Sequence, residues 1–236
     1  LATKPNAKIA VLVQNDDYGK DYLNGFKEGL GAKAASMIVS TASYEVTDPT
    51  IDSQIVTLKG SGADTFFNIT TPKFAAQAIR KVDEVGWKPT HYLNNVSASP
   101  GSVLKPAGLD KSVGLISMLY VKDATDPKWD NDPTMKDFKA LIKKYAPEVS
   151  VDDSNATYAY AAAQMMVHVL KQAGDNLTRE NIMKQAANIK DLQIPMVLPG
   201  VAASTSPSDF ALFQTMQLVR FDGQKWVDFG KPVSVK

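Results

Sequence analysis

The residues with the types and spacing to do chemistry sit where short apolar runs end. Asp16 and Asp17 follow the run VLVQN directly, and Tyr18 and Gly19 come next. Adjacent carboxylates in such a turn suit a divalent cation, a phospho-acceptor site, the rim of a ligand pocket or the cap of a helix. Thr70 and Thr71 follow the run FFNI, and Asn94 and Asn95 follow HYL. The histidines are His91, at the start of an apolar run, and His168, inside an apolar helical pattern.

Most of the sharper chemistries lack their other parts. A phospho-acceptor domain needs a further acid after its third strand, and here that strand ends NITTP. A cation site needs more oxygen or nitrogen ligands, and none has recognisable spacing. No serine sits in a G-x-S-x-G elbow, and GLGAK (29–33) reads as a helix end, not a phosphate-binding turn. The chain has no cysteine, which excludes disulfides, thiolate metal sites and a cysteine nucleophile. His168 reads as a packing residue. The expectation is a binding module that is not an enzyme and needs neither metal nor cofactor.

The elements that must position these residues are legible in the first half. Apolar runs recur at 8–14, 35–40, 63–69, 90–95 and 112–120, with helical patterns between the earlier ones. In DPTIDSQIVTLKG, Asp48 is placed at an N-cap, Pro49 at the first helical position and Gly60 at the stop. In TPKFAAQAIRKVDEVG, Thr71 and Pro72 repeat the device, and Phe74, Ala78, Ile79, Val82 and Val85 share one face. Strands alternating with such helices predict an α/β fold with a parallel sheet covered on both faces. If the strand order is 2-1-3-4-5, the loops after the first and third strands flank a crevice at the carboxyl edge. Asp17, Tyr18, Thr70, Thr71 and Asn95 would meet there. Asp16 or Asp17 and Thr71 read also as helix caps, and Tyr18 suits either a pocket wall or simple packing.

The second half reads differently. DPTMKDFKALIKKYAP, SNATYAYAAAQMMVHVLKQAG and TRENIMKQAANI are three helical patterns with almost no strands among them. A helix as apolar as 156–170 needs cover on most sides. Either a partner chain supplies a sheet or an N-terminal part of the polypeptide is absent. The tail returns to β structure as a hairpin about Asp222 and Gly223. The first residues, LATKPNAK, contain neither an initiator Met nor a leader, which suggests a mature or cut N-terminus. The formal charge of +1 over 236 residues supplies no field to attract nucleic acid or anionic lipid.

Four motifs in order carry a resemblance: KIAVLVQNDDYGKDYLNGFKEGL, GADTFFNITTPKFAAQAIRKVDEVGWKP, NNVSASPGSVLKPAGLD and QLVRFDGQKW. They resemble the periplasmic solute-binding proteins of ABC importers for branched-chain amino acids, over essentially the whole chain. The resemblance implies a type I periplasmic-binding fold, with two doubly wound lobes, three hinge crossings and a ligand held between the lobes. Residues 1–118 would be the second lobe, 119–208 the remainder of an incomplete first lobe and 209–236 the return to the second. Crossings are expected near Ser117–Val121 and Ala203–Asp209. Tyr18 matches an aromatic that packs on the ligand, Thr71 falls where amino-acid binders carry an aromatic wall, and Asn95 falls where they carry an acid for the ligand's ammonium. The neutral amide at Asn95 makes a free amino acid a less comfortable ligand than an aromatic or other small organic carboxylate. The implied partners are that small molecule and a membrane permease, with a monomer working in the periplasm. The ligand-sensing domain of a transcriptional regulator or receptor shares the fold and is the alternative.

Overall fold

The protein is described here by a computed structural model over residues 4–235. The chain divides into two units. Unit 1 runs to Ser117 and includes Arg220–Val227; unit 2 comprises Met118–Val219 and the residues from Asp228 onward. The chain therefore passes between the units at 117/118, 219/220 and 227/228.

Unit 1 opens with β1 (Ile9–Gln14), every residue of which is buried. It continues through α1 (Asp17–Leu30), the short α2 (Ala34–Met37), β2 (Ile38–Tyr44), α3 (Asp52–Gly60) and β3 (Thr65–Ile69). Then come α4 (Pro72–Glu84), β4 (Thr90–Leu93), the short α5 (Lys105–Ala107) and β5 (Ile116–Leu119). The pairings of β1 with β2 and β3, of β3 with β4 and of β4 with β5 are all parallel. The order is β2-β1-β3-β4-β5, so strand order reverses beside β1, as expected from the sequence.

Alternation along the strands feeds two cores. Ala10, Leu12 and Phe66 point to the face covered by α3 and α4, where they meet Ile55, Leu58, Phe74, Ala78 and Val82. Val11, Val13 and Ile69 point to the other face, where α1 lays down Tyr18, Tyr22, Leu23 and Phe26. Successive strand residues thus serve opposite layers, the period-two rule of a sheet buried on both sides.

Two elements differ from the sequence reading. The second strand is Ile38–Tyr44, and residues 35–37 of the expected run lie in the helical turn Ala34–Met37. Helix α3 starts at Asp52, not at Pro49; the Asp48 carboxylate instead accepts from the Glu45 amide at 2.9 Å and closes a turn. The Asp-Pro signal was genuine turn chemistry used a few residues early.

The tail adds three strands. Strand β6 (Thr215–Phe221) is followed by β7 (Trp226–Asp228) and β8 (Val233–Ser234), and β6 lies next to both β5 and β7 in the sheet. The Asp222 carboxylate accepts from the amides of Gln224 and Lys225, both at 2.8 Å, and Gly223 takes φ of 104°, a conformation that suits glycine. This is the hairpin expected at Asp222 and Gly223. Trp226 then anchors the hairpin, its indole N–H donating to the Ala98 carbonyl at 2.8 Å.

Unit 2 contains α6 (Pro133–Tyr145), α7 (Ser154–Ala173) and α8 (Arg179–Ala186). Asp132, Asp153 and Thr178 cap them. Met135 and Phe138 of α6 are fully buried with Ala161, Val169, Ile194, Met196 and Val201. Leu141 and Tyr145 of α6 are exposed, as are Tyr158, Met166, Val167 and Leu170 of α7. Helix α7 buries only Thr157, Ala161, Val169 and Ala173.

Candidate functional site

The carboxyl edge of the sheet in unit 1 gathers the polar ends of β1, β3 and β4. The β1 end is built by contact so close that only glycine fits. A Cβ on Gly19 would lie 1.9 Å from the Gln14 carbonyl oxygen, so α1 starts directly against the strand it follows. Asp16 is the N-cap: its carboxylate accepts from the Gly19 amide at 3.0 Å and from the Gln14 amide group. The Gly19 hydrogen bond, with that from Gln14, holds the Asp16 carboxyl below the usual carboxylate range. Asp17 is the first helical residue, exposed, where a negative charge favours the helix N-terminus.

From Gln14 a chain of hydrogen bonds crosses to β2 and β3. The Gln14 side-chain oxygen accepts from the Tyr44 hydroxyl at 3.0 Å and the Thr71 hydroxyl at 3.1 Å. The Thr71 amide donates to the Tyr44 hydroxyl at 3.0 Å. Thr71 occupies the N-cap position of α4, as expected, but its hydroxyl makes no capping bond and turns to Gln14 instead. Thr70 is fully buried. Its hydroxyl donates to Asn68 at 2.7 Å, and its carbonyl accepts from Asn94 at 2.8 Å and from the Ser97 hydroxyl. It therefore shapes the edge from beneath.

The β4 end is held by two tyrosines of α1. The Tyr18 hydroxyl donates to Asn94 Oδ1 at 3.0 Å, and the Tyr22 hydroxyl to Asn95 Oδ1 at 2.7 Å. The rings meet edge on, with centroids 5.2 Å apart. Four residues is about one helical turn, so both hydroxyls leave the same face of α1 and reach consecutive residues of the facing loop. Burial raises both phenols above their ordinary range, with neighbouring Tyr22, Tyr44 and Asp16 adding to the effect at Tyr18. Both hydroxyls keep their protons and remain donors.

Three adjacent hydrogen-bonded sets therefore line the edge, Thr71 with Gln14 and Tyr44, Tyr18 and Thr70 with Asn94, and Asn95 with Tyr22, while Asp17 stands outside them. The sequence reading missed Gln14, Tyr22 and Tyr44. Tyr22 had a signal, its four-residue spacing from Tyr18; Gln14 and Tyr44 had only their places as the last residues of β1 and β2.

Other candidates are less suited to recognition. His91 packs on Phe66, ring centroids 4.6 Å apart, with Asn68 3.2 Å from its Nε2. Burial depresses it to about 3, so it stays neutral. In unit 2 a concavity of about 730 Å³ lies between α6 and α7. Its lining is mostly apolar, and Gln164, one of its few polar groups, accepts from the Met196 amide at 3.1 Å. Among the described residues no group of three or more His, Asp or Glu could hold a metal ion, and no helix is long and apolar enough to cross a membrane.

Comparison with known proteins gives one family and a consistent fold. The family model described as Periplasmic binding protein matches residues 1–225. No curated protein matches the chain. A substrate-binding periplasmic protein from Ralstonia solanacearum superposes with a TM-score of 0.78 at 22% identity, covering 97% of this chain and 63% of its own. A branched-chain amino acid ABC transporter protein from Thermus thermophilus with bound valine gives 0.83 at 16% identity, covering 99% and 62%. A fatty acid ABC transporter substrate-binding protein from Thermomonospora curvata gives 0.69 at 21% identity, covering 98% and 58%. The chain spans less than two thirds of the length of each of these structures, and at such identities the likeness is one of fold.

Proposed function

Because the chain belongs to the periplasmic binding protein family, with the type I periplasmic-binding fold, we propose that it is the solute-recognition part of an ABC importer. In this reading it works outside the cytoplasm, captures a small hydrophobic amino acid or organic carboxylate, and presents it to a membrane permease.

The observation that carries the reading is the polar edge of unit 1. It lies at the switch point of a parallel sheet, the usual place for a ligand on such a fold. It offers aromatic surface from Tyr18 and Tyr22 beside the amide of Asn95, the mixture a small amphipathic solute needs. None of these groups is arranged as a nucleophile and base, so the edge supports binding without turnover. The three passages of the chain between the units would serve as hinges, and the solute would shift an open–closed equilibrium by binding the closed state more tightly.

The test is thermal unfolding of the full-length protein carrying this sequence against leucine, isoleucine, valine, phenylalanine, benzoate and short fatty acids. A solute at 100 times its Kd adds about 2.7 kcal/mol, a shift of several degrees. No shift with any of these solutes would overturn the proposed class.

A further inference from the structure

The two asparagines after β4 have the same side chain and opposite freedom. Asn94 is buried, and its amide hydrogens go to the carbonyls of Asn68 at 3.0 Å and Thr70 at 2.8 Å. Its oxygen can only accept, and it does so from Tyr18. Asn95 repeats the last part alone: its oxygen accepts from Tyr22 at 2.7 Å, but its amide nitrogen has no hydrogen-bond partner in the described residues and keeps solvent access. Asn95 is half-buried at the rim of the edge, directly beyond a fully satisfied neighbour.

Resting on the solute-binding reading above, we propose that Tyr22 is a positioning residue that fixes which end of the Asn95 amide meets the solute. By occupying the oxygen, Tyr22 turns the N–H donors outward. The group recognised at Asn95 is then a solute oxygen (carbonyl, hydroxyl or carboxylate) and not an ammonium.

The chemistry is one-sided. An ammonium group carries donors and no acceptor, so it has nothing to exchange with an outward-facing amide NH2. Reversing the amide would offer it the oxygen. That flip would let the NH2 group donate to the Tyr22 oxygen but leave the phenolic hydrogen without its acceptor, a cost for a partly buried donor. The acid that amino-acid binders are expected to carry at this place would accept from Tyr22 and an ammonium at once through its separate oxygens. The amide could do so only by sharing its one uncharged oxygen between the two donors. Tyr22 therefore converts a neutral substitution into a directional one.

The experiment measures Kd by calorimetry on the full-length protein for matched probes that differ only in the amine. They are leucine with 4-methylpentanoate, and phenylalanine with 3-phenylpropanoate. The unsubstituted protein should prefer the amine-free member of the pair it binds by at least tenfold. Tyr22→Phe keeps the ring and removes the hydroxyl, so the amide becomes free to turn and the preference should shrink several-fold, mainly through tighter binding of the amino acid. Asn95→Asp should reverse the preference. Tighter binding of the amino acids by the unsubstituted protein would overturn the inference while leaving the solute-binding function intact. An equal weakening of both members of a pair in Tyr22→Phe would overturn it in the same way, since that is what a merely structural tyrosine does. Failure of all these probes to bind would bring down the solute class and the inference together.

Discussion

In unit 1 the buried polar side chains of the described residues are neutral: Gln14, Thr65, Asn68, Thr70, His91, Asn94, Ser97, Ser99, Ser112 and Ser117. Unit 2 buries Lys122, Asp123 and Asp126. The difference goes beyond composition. At the edge of unit 1 the buried amides and hydroxyls satisfy one another, and the carboxylate that joins them, Asp16, is only half-buried and is held by the Gly19 and Gln14 donors. In unit 2 the Lys122 ammonium depends on Asp132 at 2.6 Å and on the face of Trp129, 4.9 Å from its nitrogen. Asp123 accepts from the Thr125 amide and hydroxyl through one oxygen, while the other is buried without a partner, and burial raises its carboxyl above the usual range. A neutral network suits a surface that, in the proposed function, desolvates with each solute. A buried charge suits a position that is desolvated once, on folding.

The largest expected effect tests the neutral side. Burial carries His91 from 6.5 to about 3. Between those values the folded state binds fewer protons than the unfolded chain, so stability is full above pH 6.5 and is lost as pH falls toward 3. The loss across that window is roughly 5 kcal/mol. Urea midpoints measured from pH 7 downward should fall accordingly, and His91→Gln should flatten most of the slope. A flat curve for the unsubstituted protein would mean that His91 takes up its proton in place, and the claim of a neutral interior would break. The charged side is tested next. Lys122→Ala strands the Asp132 carboxylate and should cost about 3 kcal/mol. The double change Lys122→Met, Asp132→Asn keeps a competent cap for α6 and should recover most of that loss. If the double change costs as much as the single one, the charge was not what made the position sensitive.

How much of this was legible depends on which surface each residue faces. Strands β1 and β3 announced themselves because both of their faces are buried and the runs are mainly apolar. Strand β2 alternates half-buried and exposed residues along the edge of the sheet, so its apolar signal was outweighed by the residues just before it. The switch point, Tyr18, Thr71 and Asn95 followed from strand order. Tyr22 did not, because a tyrosine inside an amphipathic helix looks like core until its hydroxyl partner is known. The return of the chain to unit 1 at Arg220 falls inside β6, where no glycine, proline or change of composition marks it. The assignment of the units to particular lobes rests on the resemblance alone.

The smallest expected effect sharpens the contrast between the helices of the two units. In α4 the apolar face is closed: Phe74, Ala78, Ile79 and Val82 lie against the sheet. In α7 a more apolar sequence leaves Met166 46% and Val167 49% exposed. Periodicity can say that a helix has apolar residues, but only a packed neighbour makes them a core. If the described surroundings of α7 are what it meets in solution, Met166→Ser changes stability by less than about 0.5 kcal/mol, as surface substitutions do. Loss of a buried methionine would cost about 2 kcal/mol or more. Denaturant unfolding of the 236-residue chain separates these values readily. The larger cost would mean that some further surface covers α7, and unit 2 would then join unit 1 as a unit whose helices are closed.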